Sequence, residues 1–190
     1  MTKIVICGVG GQGTILASDI LSLVAMEEGY DVKKSEVHGM AQRGGSVISS
    51  CVFGEKVYSP LIGLGEGDIL LVFEKLEALR SLPYLKKNGK MIVNNHEWLP
   101  ITVASGDATY PENIIYTLKE RVKNLICVDG VKTAVELGNI RTTNIVLLGV
   151  LARFLPFKQE SWLSVIEGRV PKKTVDINKT AFLSGFSSEA

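Results

Sequence analysis

Gly8-Val9-Gly10-Gly11-Gln12-Gly13 is the segment of this 190-residue chain whose residue types and spacing best suit chemistry. It joins the apolar run Lys3–Cys7 to a stretch, Thr14–Glu28, with helical spacing. The glycines satisfy GxGxxG in a strand–loop–helix setting. Glycine lets the backbone turn tightly and lets an anion approach the main chain. The free N–H groups at the start of the helix then face that anion, with the helix dipole behind them. Thr14 adds a hydroxyl at the mouth. No Lys-Ser or Lys-Thr follows the last glycine, so the Walker A pattern is absent. A dinucleotide reading wants an acid about 20 residues on, at the end of the second strand, and Glu36 could serve. A turn that packs tightly and binds nothing is the bland alternative.

A second polar loop follows the next strand: Glu36-Val37-His38-Gly39-Met40-Ala41-Gln42-Arg43-Gly44-Gly45-Ser46. In a parallel sheet it begins at the carboxyl edge, the edge that carries the glycine loop. Arg43 is a fork-shaped donor suited to phosphate or carboxylate. Gly44-Gly45 would let a ligand or partner near the backbone. A solvated arginine on an exposed loop is the competing reading. His38 could move protons but has no visible partner, and reads better as a loop or interface residue.

Other reactive residues point away from metal or thiol chemistry. Cys7, Cys51 and Cys127 each lie in an apolar, β-branched run and read as buried structural thiols. None forms a CxxC pair, and three thiols cannot supply the four of an iron–sulfur cluster. His38 and His96 lack ligand spacing. Gly67-Asp68 followed by Asn94-Asn95, 27 residues after Gly67, has the approximate spacing of a thiamine diphosphate signature. Ile69 replaces its second glycine and Asp68 opens a strand, so magnesium held by Asp68 is not expected.

Strand-like and helical runs alternate through the first two-thirds. The strands are Lys3–Cys7, Asp31–Val37, Val47–Phe53, Lys56–Ser59, Asp68–Phe73, Lys90–Val93 and Leu125–Val128. Gly54-Glu55 reads as the hairpin turn between the third and fourth of these. The helices are Thr14–Glu28, Glu74–Leu85 and Glu112–Lys123, then Arg141–Phe154 and Ser161–Ile166 in a mostly helical remainder. The fold expected is α/β: a Rossmann-like three-layer fold with a mainly parallel sheet, helices on both faces and a helical C-terminal third. One domain over residues 1–190 is expected. Val47–Ser59 is a candidate interface edge.

Composition bounds the function. Net charge is +1, with 46% hydrophobic and 22% charged residues, and the basic residues are scattered, which argues against nucleic acid. No apolar run is long enough for a bilayer, and the N-terminus reads as a strand rather than a signal peptide, so a cytoplasmic location is expected.

The two loops together resemble those of the small, gamma-type, Rossmann-like subunit of the 2-oxoacid:ferredoxin oxidoreductases. The matching residues are Gly8–Gly13, Ala17-Ser18 in the first helix, Arg43-Gly44-Gly45, Asn144 and Gly149 in RTTNIVLLGVLA, and Asn178, Ala181-Phe182 and Gly185 in NKTAFLSGF. HGMAQRGGSV is most similar to the beta subunit of the indolepyruvate branch. The resemblance implies a division of labour. A large partner chain carries thiamine diphosphate with magnesium, and iron–sulfur clusters. The complex decarboxylates a 2-oxoacid, sends two electrons to ferredoxin and releases an acyl-CoA. The small chain stands on the coenzyme A side. Gly10, Gly11, Gln12, Gly13, Thr14, Arg43 and Asn144 are then the candidate CoA contacts. A stand-alone NAD- or FAD-binding protein and a pure interaction module are the competing classes.

Overall fold

The computed structural model describes residues 1–39 and 44–188. The elements run β1 (Thr2–Val9), α1 (Thr14–Glu27), β2 (Asp31–His38), β3 (Ser46–Gly54), β4 (Gly67–Val72), α2 (Lys75–Ser81), β5 (Leu85–Asn94), α3 (Ile101–Ala104), α4 (Ile114–Arg121), β6 (Asn124–Val128), α5 (Gly130–Glu136), α6 (Thr143–Ala152), α7 (Gln159–Arg169) and α8 (Val175–Phe186). The strands form one sheet in the order β2-β3-β1-β4-β5-β6. β1, β4, β5 and β6 pair in parallel, and β3 lies antiparallel between β1 and β2. This is the expected three-layer α/β fold, with α5 to α8 making the helical last third.

Period-two alternation divides the core between the two faces of the sheet. Ile4, Ile6, Cys51, Phe53, Leu71 and Ile92 face α1 and α5 to α8. Val5, Cys7, Val52, Leu70, Val72 and Met91 face α2 and α4. β1 and β4 are central, and their near-continuous apolar runs reflect burial on both sides. β2 has no fully buried residue, as an edge strand should. α6 is buried all round from Asn144 to Ala152, so it shows no polar stripe. It packs on α8 through two glycines. A Cβ at Gly149 would lie 2.1 Å from the Phe182 carbonyl oxygen, and one at Gly185 would lie 2.0 Å from that of Val146. Ala181 and Phe182 are buried beside this crossing.

Four readings of the sequence need correction. Lys56–Ser59 is not a strand, although Val57 is buried and Tyr58 exposed. β3 is already hydrogen-bonded on both sides, so a following hairpin strand finds no free edge. The segment instead tucks Val57 and Ile62 under the sheet, and the Val57 N–H donates to Asp31. The edges of the sheet are β2 and β6, so Val47–Ser59 is not an interface edge. The helix expected over Glu74–Leu85 ends at Ser81, a 3-10 turn holding Pro83 follows, and Leu85 already belongs to β5. The register skips from Gly67↔Leu85 to Ile69↔Lys90, so the exposed Lys86–Asn88 segment bulges out of the ladder. The thiols are buried at Cys7 and Cys51, but Cys127 is only half-buried.

The helix crossing yields a direct test. Gly185→Ala must push two backbones apart, so a loss of about 3 kcal/mol or more is expected. Urea unfolding of the purified protein measures it, against Ser187→Ala at the exposed end of α8, which should shift stability by less than about 0.5 kcal/mol.

Candidate functional site at the carboxyl edge

The glycine loop leaves β1 at the carboxyl edge of the sheet, where ligands of open α/β folds bind. Gly11 has φ +104° and Gly13 φ +81°, values that favour glycine. Gly13 caps α1 with no side-chain hydrogen bond to the first turn, so the amides there stay available. The Gly11 and Gly13 N–H groups also have no acceptor among the described residues. This is the arrangement that suits an oxyanion.

Side chains hold the loop in shape. The Gln12 amide oxygen accepts from Val9 N–H at 2.8 Å, and its nitrogen reaches the Phe73 carbonyl at 3.5 Å. Gln12 thus staples the loop to the end of β4 while bordering the cleft. Asn144, second residue of α6, donates to the Gly13 carbonyl at 3.4 Å and accepts from Ile145 N–H at 3.0 Å. A Cβ on Gly13 would lie 2.6 Å from the Asn144 nitrogen. The starts of α1 and α6 therefore meet at one point. Thr14, almost fully buried, lines the far side of the loop.

Two clefts flank the loop. One of about 500 Å³ is walled by Gly11, Gln12, Gly13, His96, Trp98, Arg141 and Asn144. The other, about 660 Å³, lies among Gly10, Thr14, Ile15, His38, Gly39 and Val47. Both fall within the roughly 300–1,000 Å³ of small-molecule clefts. The β2–β3 loop adjoins the glycine loop as the sequence suggested. Gly10 N–H donates to the Gly45 carbonyl at 2.9 Å, and Gly39 N–H to that of Ser46 at 2.8 Å. Ser46 is pinned in turn by the buried Glu77 carboxylate, 2.5 Å away. Arg43 lies outside the described residues.

The structure thus gathers Gly10–Thr14 and Asn144 around one loop. Glu36 stands apart. β3 separates its strand from β1, and its carboxylate pairs with Lys34 at 2.7 Å. A ribose on the glycine loop would lie two strand spacings away, roughly 10 Å. His38 borders the second cleft, half exposed, 3.9 Å from Glu36. Sequence reasoning missed Trp98 and Arg141. The usable signal was position: Trp98 follows β5 at the carboxyl edge, and Arg141 immediately precedes α6.

The described residues do not fit a magnesium diphosphate or an iron–sulfur cluster. Asp68 opens β4 at the amino edge and accepts from Lys3 N–H at 2.7 Å. Asn94 ends the parallel strand β5 at the opposite edge. There it donates to the Phe73 carbonyl at 3.2 Å and accepts from Gly130 N–H at 3.0 Å, so it is a buried staple. No group of three His, Cys, Asp or Glu side chains suits a metal among the described residues. Burial pushes the Cys7 thiol up to about 12 and the Cys51 thiol to about 11, so neither is a ready thiolate. No helix among the described residues is long and apolar enough to cross a membrane.

Gly13→Ala tests the meeting of α1 and α6. The added methyl group faces both positive φ and the Asn144 amide, so thermal unfolding should report a loss of about 2–3 kcal/mol. Gly168→Ala, at an open helical position, should not destabilise the protein.

Comparison with known proteins agrees with this architecture. An indolepyruvate oxidoreductase subunit IorB from Thermococcus kodakarensis is 44% identical, over 96% of this chain and 93% of its own length. The crystal structure of a keto/oxoacid ferredoxin oxidoreductase gamma subunit from Geobacter sulfurreducens superposes with TM-score 0.73 at 23% identity, over 98% of this chain and 96% of that one. A 2-oxoglutarate:ferredoxin oxidoreductase from Magnetococcus marinus, solved with 2-oxoglutarate, coenzyme A and succinyl-CoA, has the same fold in a longer chain. The TM-score is 0.74 at 18% identity, over 98% of this chain and 30% of that one. The family model for pyruvate ferredoxin/flavodoxin oxidoreductase matches residues 3–188, and the chain belongs to that family.

Proposed function

We propose that this chain is the small subunit of an indolepyruvate, or other arylpyruvate, ferredoxin oxidoreductase, and that it supplies a binding surface for coenzyme A. In the overall reaction the bond between the 2-oxo carbon and the carboxylate breaks and CO2 leaves. Two electrons pass to ferredoxin, and the acyl carbon forms a thioester with CoA as the thiol proton is released. Thiamine diphosphate with magnesium and the iron–sulfur clusters belong, on this reading, to a large partner chain. The described residues do not fit them, and this chain's part is binding and assembly.

The observation that carries the CoA role is the uncapped start of α1 behind Gly11 and Gly13. A diphosphate placed there meets free amides and the positive end of a 14-residue helix. Gly10, Gly11, Gln12, Gly13 and Thr14 would form this cradle, with Asn144 holding its shape and Arg43 adding a guanidinium from the neighbouring loop. The Magnetococcus relative, with coenzyme A bound, supports the ligand class. Close similarity to the Thermococcus indolepyruvate oxidoreductase subunit supports the aryl substrate. The position of Glu36, one strand removed and paired with Lys34, argues against a free NAD or FAD protein.

The test is anaerobic co-purification from the native host, followed by arylpyruvate- and CoA-dependent reduction of a viologen dye. A large brown partner and strong dye reduction are expected, with the isolated small chain inactive. Arg43→Ala in the complex should raise KM for CoA roughly tenfold or more, the cost of a lost charge-assisted phosphate contact. A solitary chain with no partner and no dye reduction would overturn the proposal.

A further inference from the structure

β6 closes one side of the sheet, yet it is built like an interior strand. Asn124–Val128 carries no charge, and Leu125, Ile126, Cys127 and Val128 are apolar in succession. Such runs belong to parallel strands that are buried on both faces. α5 and α6 cover Ile126 and Val128 from one face, and α4 covers Leu125 and Cys127 from the other. With β5 as the one strand beside them, Leu125, Ile126 and Cys127 stay half-buried. The opposite edge is different. β2 presents Asp31, Lys33, Lys34 and Glu36, charges of the kind that guard an edge against pairing. The backbone of β6 has no such guard. The Val128 carbonyl turns inward and accepts from Asn95 N–H at 2.7 Å. Backbone groups of successive residues alternate in direction, so Ile126 also turns inward while Leu125 and Cys127 turn outward. Among the described residues no backbone partner meets those outward groups.

We infer that β6 is the pairing edge for a second copy of this chain, aligned antiparallel about a two-fold axis at Ile126. Leu125 then exchanges both backbone hydrogen bonds with Cys127 of the second copy, and Ile126 meets its own counterpart. One step beyond the strand at each end, Lys123 comes opposite Asp129 of the second copy. Both are exposed, and among the described residues neither has an ion-pair partner within one chain. The Asp129 carboxylate accepts only from the Asn95 amide, at 2.9 Å. Two-fold symmetry makes this Lys–Asp match twice, and that complementarity selects a second copy over a strand of the large partner chain. The pairing joins two six-stranded sheets into one. It also points the two carboxyl edges in opposite directions, so each glycine loop keeps room for its own ligand and large chain.

Sedimentation velocity of the purified full chain should show a concentration-dependent dimer of the 20.6 kDa chain. Lys123→Glu sets like charges face to face twice and should weaken that dimer roughly tenfold. Asp129→Lys should weaken it as much. The two substitutions together should return it to within about threefold of wild type, a rescue that a purely structural effect would not give. Ile126→Cys in a Cys127→Ser background should form a disulfide-linked dimer on mild oxidation, because residues directly opposite in an antiparallel pair lie close enough to bridge. In the anaerobic complex, a short bis-maleimide should link the same variant small chain to small chain. A monomer at every concentration would overturn the pairing. So would charge reversal without effect or without rescue, or a link from Ile126→Cys to the large chain, which would give this edge to the partner instead.

Discussion

The Asn144 side chain occupies the space that any side chain on residue 13 would need. Much of the site follows from this contact. Gly13 can stand there because it has no Cβ and because glycine accepts φ +81°. The contact brings the starts of α1 and α6 together, although Asn144 lies 131 residues later in the chain. It leaves the first turn of α1 without a side-chain cap. An uncapped helix start next to a cleft is costly for a protein that binds nothing and useful to one that binds an anion. The same contact sets the distance between the glycine loop and Arg141, three residues before Asn144.

The remaining structure holds this junction in place. α6 cannot shift easily, because its far end is locked against α8 by Gly149 and Gly185, where backbones touch. The loops across the cleft are tied down by buried polar side chains. Asn94 bridges the end of β4 to the start of α5, Glu74 fixes the backbone at Trp98, and Glu77 fixes Ser46 beside the second loop. Buried groups of this kind are costly unless satisfied, and here each has named partners. A rigid carboxyl edge results, suited to presenting a surface to a ligand and a partner chain.

The fold was legible in sequence where the signal was local. Short apolar runs gave β1, β4 and β6, helical spacing gave α1, and GxGxxG marked the junction of β1 with α1. The errors arose where tertiary pairing decided the outcome. Lys56–Ser59 has a strand's alternation but no free edge to join. The Gly67-Asp68 and Asn94-Asn95 spacing, by contrast, is not read as a metal site in the sequence, and parallel strands carry Asp68 and Asn94 to opposite edges of the sheet. Gly149 and Gly185 stood out only through resemblance, because a helix–helix contact leaves no periodic trace. Trp98 belongs to no motif, Arg141 only opens the RTTNIVLLGVLA segment, and the topology brings the two to one cleft.

The measurement that bears most directly on the central claim is photo-crosslinking of the anaerobic complex with an azido-adenine CoA analogue. Labelled peptides are then mapped with and without excess CoA. Competable label on this chain, in the peptides that border the glycine loop, is the predicted result. Label confined to the large partner chain would contradict the claim that this subunit supplies the surface on which CoA binds.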